Sequence, residues 1–469
     1  MKLALLATDW AFLGVLQGAL LLLVFLVRRP SFRRPLLKVL LRPSAMVSVL
    51  VLVLFLVIAV MDCLRFQWQN LSEGSANPQF VESLTLLDVV LSPLRGKDEK
   101  SYSEPLAIYG YAKALTKNEA GLEEWIYPRL LWGGAHLNSP KDHNRNLLRH
   151  LTNGFLRSLI LFASIVILIG GVLVIVSRRI GYSRSKIEET AKKHKTLCFS
   201  LGTTFFLVCL FAGVGIEFSK DYHFFGTDKV GGDVFYATLK SIRTALVIGV
   251  LATVATLPIA LVFGVIAGYF KGWIDDLIQF IYTTLNAVPG VLLMAACMLV
   301  MDTFMRAHES SFSDLISRAD FRLMALCLIL GLTSWTGLCR LLRAETMKLR
   351  ELEFIQAARV LGVNHFRILL NHIIPNLFHI ILISTALDFS SLVLAEAVLS
   401  YINIGVDPAT YSWGNMINGA RLELAREPPV WWSLSAAFLF MFLMVLSANV
   451  LSDAIRDAFD PRLSDLPHD

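Results

Sequence analysis

Glu351-Leu-Glu-Phe-Ile-Gln-Ala-Ala-Arg-Val-Leu-Gly362, then Val363 to His372, then Ile373-Ile-Pro375-Asn376, forms a polar stretch between two apolar runs. Residues 351–361 contain neither Gly nor Pro and are rich in Leu, Glu, Gln, Ala and Arg, which predicts a helix of about three turns. Gly362 would end it, because the residue past a helix terminus commonly takes a left-handed conformation that Gly adopts without a Cβ clash. A second short helix is expected next. Pro375 would then open the following apolar segment, where its missing N–H goes unused and its fixed φ already suits a first helical turn. Ala357 and Ala358 would leave a surface flat enough for close docking. The stretch reads as a helix-turn-helix plug, on the membrane face, offered to another protein.

The rest of the chain supplies the membrane. Of 469 residues 55% are hydrophobic and only 17% charged, and mean hydropathy is +0.60, so the expected fold class is an all-α polytopic membrane protein. An apolar run of about twenty residues crosses a hydrocarbon layer of roughly 30 Å. Nine runs qualify, near 10–27, 45–61, 155–176, 197–216, 245–267, 277–300, 323–342, 375–404 and 431–451. Arg28, Arg29, Arg33, Arg34, Lys38 and Arg42 follow the first run, and Arg178 to Lys195 form a second basic stretch after the third. The positive-inside rule assigns both loops to the cytoplasm, which puts the N-terminus outside and the C-terminus inside. A cleaved signal peptide fits less well, since the charge follows the apolar run and no small-x-small site ends it. The six Cys lack paired spacing and read as small buried hydrophobes. The net charge of +6 sits in a few loops and speaks of topology, with no nucleic-acid partner expected.

Chemistry-bearing residues are sparse. Asn286 and Pro289 fall inside the sixth run, and Asp388 and Glu396 inside the eighth. Irregular backbone and carboxylates at membrane depth need protein or water around them, which makes these four candidate pathway residues. Simple helix packing or a helix-to-helix hydrogen bond explains each of them equally well. His136, His143 and His150 are spaced by seven, but Pro140 would interrupt any helix carrying them, so solvated or hydrogen-bonded histidines are expected, with no metal site. No Gly-x-x-x-x-Gly-Lys-Ser/Thr occurs, nor His-Glu-x-x-His nor Cys-x-x-Cys, so neither a nucleotide site of that kind nor an enzyme or cofactor is expected.

Ala357-Ala358, three residues, Gly362, nine residues and then His372-Ile-Ile-Pro375 resembles the EAA loop of ABC importer permeases. Gln356 stands where Glu is frequent, and His372 where Ile is. His372-Ile-Ile-Pro375-Asn376 is similar to the dipeptide, oligopeptide and nickel branch and its C-type subunit. Phe225-Gly-Thr-Asp-Lys-Val-Gly-Gly-Asp233, Gly268 to Asp276, Tyr411 to Met416 and Ser452 to Leu463 resemble further segments of that branch in order, with Gly232 where an Arg is usual. The resemblance covers about 196–463 and implies a type I transmembrane domain of six helices. About three extra helices and an external segment precede it, dividing the chain into 1–61, 62–154, 155–195 and 196–463. It also implies that an ATPase grips 351–375 through Gln356, Ala357, Ala358, Gly362 and Pro375. The implied partners are two ABC ATPase subunits, a second homologous permease, an extracytoplasmic binding protein and membrane lipid. The implied setting is a bacterial inner membrane, with peptide or a similar small solute as cargo. An ion-coupled secondary transporter, with Asp388 and Glu396 relaying protons, and a membrane sensor are the alternatives.

Overall fold

The computed structural model describes residues 2–28, 30–67, 83–117, 123–137, 139–180, 195–309 and 314–459. Helices α1 (Ala7–Val27), α2 (Pro30–Leu41), α3 (Pro43–Cys63), α4 (Leu86–Val90), α5 (His143–Ile180), α6 (Lys195–Phe218) and α7 (Val234–Phe270) come first. Then follow α8 (Trp273–Ala287), α9 (Gly290–Ala307), α10 (Leu315–Arg350), α11 (Glu353–Val360), α12 (His365–Tyr401), α13 (Trp413–Ala420) and α14 (Trp432–Phe459). Among the described residues nine helices are long and apolar enough to cross a membrane: α1, α3, α5, α6, α7, α9, α10, α12 and α14. Leu20 to Phe25, Ile167, Leu168 and Val300 turn outward and exposed, an arrangement stable only where the surroundings are themselves apolar.

Two expectations about the spans change. The fifth starts at Val234 rather than near 245, because Lys240 and Arg243 sit inside the helix, neutralised by partners from the N-terminal part of the chain. Lys240 Nζ lies 2.8 Å from Asp62 and 2.7 Å from Asp88, and Arg243 pairs with Asp9. The sixth is broken: α8 stops at Ala287, Val288 is extended, and α9 begins behind Pro289, which lacks the N–H that a continuous helix would use. The basic stretch after α1 is itself helical as α2; the second basic stretch lies mostly outside the described residues.

The core is the parallel pair α7 and α10, packed together along most of their length, with Gly331 against Ala255 near one end and Gly268 against Arg343 and Thr346 near the other. Their backbones approach so closely that a Cβ on Gly268 would sit 2.6 Å from the Arg343 carbonyl oxygen, and one on Gly331 2.5 Å from the Ala255 Cβ. Small residues allow this approach where burial against lipid offers no hydrophobic gain. Thr256 adds a hydrogen bond to the Gly331 carbonyl at 3.2 Å. Around this pair stand α3, α12 and α14, with α1 against α7 and α10, and α6 joined to α5.

The two ends of the bundle differ. At one end Arg42 pairs with Asp457 at 2.6 Å and the Phe32 ring meets Phe378 at 5.1 Å, so α2 shares that end with the close of α14 and the start of α12. At the other, short strands Lys2–Leu3, Arg65–Gln67 and Ser83–Thr85 form an antiparallel sheet, and Ala114–Lys117 pairs with Glu123–Ile126. The described residues between α3 and α5 therefore form a folded cap over this end. The turn at 226–233 holds Gly232, whose N–H donates to Asp228 at 2.9 Å. Beside the turn, His223 lies 2.8 Å from Asp233 and 3.6 Å from Glu99. Burial opposes its charged form, but the two carboxylates outweigh that and push its pKa up to about 9.

Candidate coupling site

The plug is built on buried isoleucines. Ile355 of α11 and Ile368, Ile373 and Leu377 of α12 sink into a cluster with Tyr269, Ile278, Leu338, Cys339 and Leu342, fixing the stretch to the end of α7 and α10. Polar contacts square the fit. The Tyr269 hydroxyl meets His365 Nδ1 at 2.7 Å, the Arg359 guanidinium lies over the Tyr269 ring at 4.6 Å, and Arg350 donates to the Tyr269 carbonyl at 2.7 Å. Arg343 donates to Asp275 at 2.7 Å, and Lys271 pairs with Glu351 at 2.9 Å, which holds the exposed Glu351 carboxyl below its ordinary range.

Helix α11 ends as its Gly suggested. Gly362 has φ +74°, the Val363 N–H donates to the Ala358 carbonyl at 3.1 Å, and the Gly362 N–H to the Arg359 carbonyl at 3.0 Å. These two bonds are the Schellman closure, which satisfies carbonyls that the helix end leaves free. Asn364 then starts α12, its side chain accepting from the Phe366 N–H at 3.1 Å.

Beyond this point the expectation of a separate second helix fails. Helix α12 runs from His365 through a π turn at Leu369–Ile373 and past Pro375 to Tyr401 without a stop. Pro375 therefore lies within α12 and does not open a new segment. Its ring would press on the carbonyl one turn back in a regular α-helix, and the wider turn before it relieves that contact. Asn376 adds a side-chain hydrogen bond to the His372 carbonyl at 2.7 Å.

Gln356 and Ala357 are exposed, Ala358 is half-buried against the cluster, and Gly362 and Pro375 are exposed. Gln356 donates to the Glu351 carbonyl at 3.1 Å. Sequence reasoning overlooked the most exposed groups. Val360 is 87% and Leu361 81% exposed, and Phe366 stands beside them, an apolar tip raised beyond the end of the bundle. The signal was present, since Val360-Leu361 sits on the polar side of the loop where a solvated turn would carry charges.

The four intramembrane candidates do not converge on one feature. Asn286 is exposed and accepts from the Thr336 hydroxyl at 2.9 Å, tying α8 to α10, while Pro289 marks the break before α9. Asp388 is half-buried, and among the described residues no side chain pairs with its carboxylate. Glu396, only 2% exposed, accepts from Ser400 and Ser412, each at 2.7 Å, so it clasps the C-terminal end of α12 to the segment leading into α13.

The bundle is thus built on a tight parallel pair, with an exposed apolar tip at one end. Residues 260–465 match the family described as the binding-protein-dependent transport system inner membrane component. The oligopeptide transport system permease protein OppC of Mycobacterium tuberculosis (strain H37Rv) is 34% identical over 239 residues, 51% of this chain and 76% of that protein. The glutathione transport system permease protein of Pectobacterium atrosepticum is 32% identical over 243 residues, 51% of this chain and 73% of that one. The dipeptide transport system permease protein of Lactococcus lactis is 30% identical over 246 residues, 52% and 66% respectively. The chain belongs to this family of ABC importer permeases and is a multi-pass inner-membrane protein. The similar proteins are transport permeases, which favours that reading over an ion-coupled transporter or a sensor.

Proposed function

We propose that this chain forms, with a second homologous permease, the pathway by which peptides enter the cell, and that two ABC ATPases drive it. The observation that carries the ATPase contact is the apolar tip Val360, Leu361 and Phe366, held rigid by Ile355 and Ile368 beneath it. Gln356, Ala357, Ala358, Gly362 and Pro375 would shape the socket-facing surface. Closure of the ATPases would draw two such tips together and rock the bundles as rigid bodies. An extracytoplasmic binding protein would deliver the cargo, and peptide is favoured because the relatives are named for oligopeptide, dipeptide and glutathione transport. We assign 196–463 to the permease domain, 1–61 and 155–195 to added helices, and 62–154 to an external cap.

In this reading the coupling loop, α2 and the end of α14 face the cytoplasm, and the N-terminus lies outside. The support is the basic α2 packed beside α14 at the coupling end. In a Cys198→Ser background, Lys100→Cys should react with a membrane-impermeant maleimide in intact cells and Val360→Cys should not. The reverse pattern would invert the topology.

Vesicles carrying the four-subunit assembly and its binding protein should take up labelled peptide only with ATP. Uptake of nickel(II) in place of peptide would overturn the cargo assignment, and uptake without ATP the energy source. The same vesicles separate the pathway candidates. Asp388, unpaired and half-buried, is proposed to line the route with Asn286 and Pro289, so Asp388→Asn should alter uptake at normal abundance. Glu396→Gln keeps a hydrogen-bonding group in the clasp and should lower stability before it touches transport; an effect confined to transport would return Glu396 to the pathway.

A further inference from the structure

His136, His150 and Asp221 meet at the cap end of the bundle, although the sequence spacing argued against a metal there. The helix that Pro140 was expected to interrupt is not needed. His136 lies in a loop before α5, His150 in the second turn of α5, and Asp221 just past α6, so three separate segments converge. Their ligand atoms all lie within 4.8 Å of one another. His150 Nε2 is 3.2 Å from Asp221 Oδ2, and His136 Nδ1 is 3.9 Å from Asp221 Oδ1. The loop carrying His136 is fixed in advance. Gly134, with φ +63°, donates its N–H to the Asp221 carbonyl at 2.7 Å, a Cβ there would strike Ile108 at 2.4 Å, and Arg129 binds the Leu137 carbonyl.

We propose that these three side chains bind a divalent transition ion of the zinc type, stapling the cap to the first helix of the permease domain. Two imidazoles and one carboxylate are the donor set of a three-ligand zinc site with an open fourth position, and hard ions such as Mg²⁺ prefer oxygen alone. The outer atoms fit as well. Ligating imidazoles usually hand their second N–H to an acceptor, which fixes the tautomer. His150 Nδ1 has no hydrogen-bond partner and lies 3.9 Å from Glu217 Oε1, a carboxylate held by Arg157 at 2.6 Å and Lys220 at 2.9 Å. His136 Nε2 touches the side-chain amide of Asn146; with that amide turned over, Oδ1 accepts the imidazole N–H and leaves Nδ1 free for the ion. His150 is 8% exposed, so solvent competes little for the site.

The test uses the full-length protein, purified without a polyhistidine tag, and the metals Zn²⁺ and Co²⁺ alone. The wild type should bind one Zn²⁺ per chain, and Co²⁺ in its place should show the visible bands of a low-coordinate site. His136→Ala, an exposed position that should fold normally, should weaken Zn²⁺ at least tenfold and lose those bands, and His150→Gln should do the same. Zn²⁺ should raise the thermal midpoint of the wild type but not of either variant. Equal Zn²⁺ binding by the wild type and a His136→Ala/His150→Gln double variant would overturn the site. An octahedral Co²⁺ spectrum unchanged by the substitutions would do so too.

Discussion

Gly362→Val is expected to abolish ATP-driven uptake while leaving the protein in the membrane at normal abundance. Nothing lies within 4 Å of the position a Cβ would take at Gly362, so the effect is conformational and owes nothing to a clash. At φ +74° a β-branched residue is strained by about 1–3 kcal/mol. The chain escapes that strain by opening the Schellman closure, which frees the Ala358 and Arg359 carbonyls and lets Val360 and Leu361 swing away from Phe366. Gly362→Asn, which tolerates the left-handed region, should restore most of the activity. Ala358→Trp should reach the same loss differently, by wedging α11 away from the cluster beneath it. Wild-type uptake in Gly362→Val and Ala358→Trp at equal abundance would remove 351–375 from the coupling role.

The second large effect is at the opposite end. Asp9 is fully buried and faces Arg243 on α7, whose Nε donates to Asp9 Oδ1 at 2.9 Å, and Arg65 Nε lies 3.6 Å from the other carboxylate oxygen. Thr8 alongside binds Asp320 of α10. Asp9→Ala leaves the buried Arg243 without its carboxylate partner and beside Arg65, and breaking a buried pair in this way typically costs about 3–5 kcal/mol. A clear fall in thermal midpoint is expected. Asp9→Asn should lose less, and Asp9→Ala with Arg243→Met should recover much of the loss, because the stranded charge is gone. An unchanged midpoint in Asp9→Ala would mean that water reaches Arg243 and that the first helix is not pinned here.

What could be read from sequence follows how local each cause is. Gly362 announced the end of α11 because the need for positive φ is a property of one residue, and the nine spans were legible because crossing a membrane requires only length and apolarity. The break at Pro289 and the unbroken run through Pro375 were not, since proline breaks a helix in one setting and is absorbed by a π turn in another. The start of α7 was missed for a related reason. Lys240 and Arg243 look like the edge of a span until Asp62, Asp88 and Asp9 are seen to neutralise them, and those partners lie about 150 to 230 positions away. At the coupling site the small residues were visible in the motif, but the raised Val360, Leu361 and Phe366 emerge only when the buried isoleucines fix which side faces out.

Helix α12 begins at the docking tip and ends beside the Glu396 clasp, 37 residues in all. At 1.5 Å per residue that is a rod of about 55 Å, enough to cross the membrane with length to spare. Had Pro375 opened a fresh helix, the tip would hang on a joint and its motion would be lost in the bend. With one continuous rod, torque applied at Phe366 reaches the segment around Ser412 directly, and the π turn at Leu369–Ile373 is the one place near the input where the rod can yield. The chain thus has the mechanical form of an oar, with the clasp at the blade and, in the proposed assembly, an ATPase at the handle.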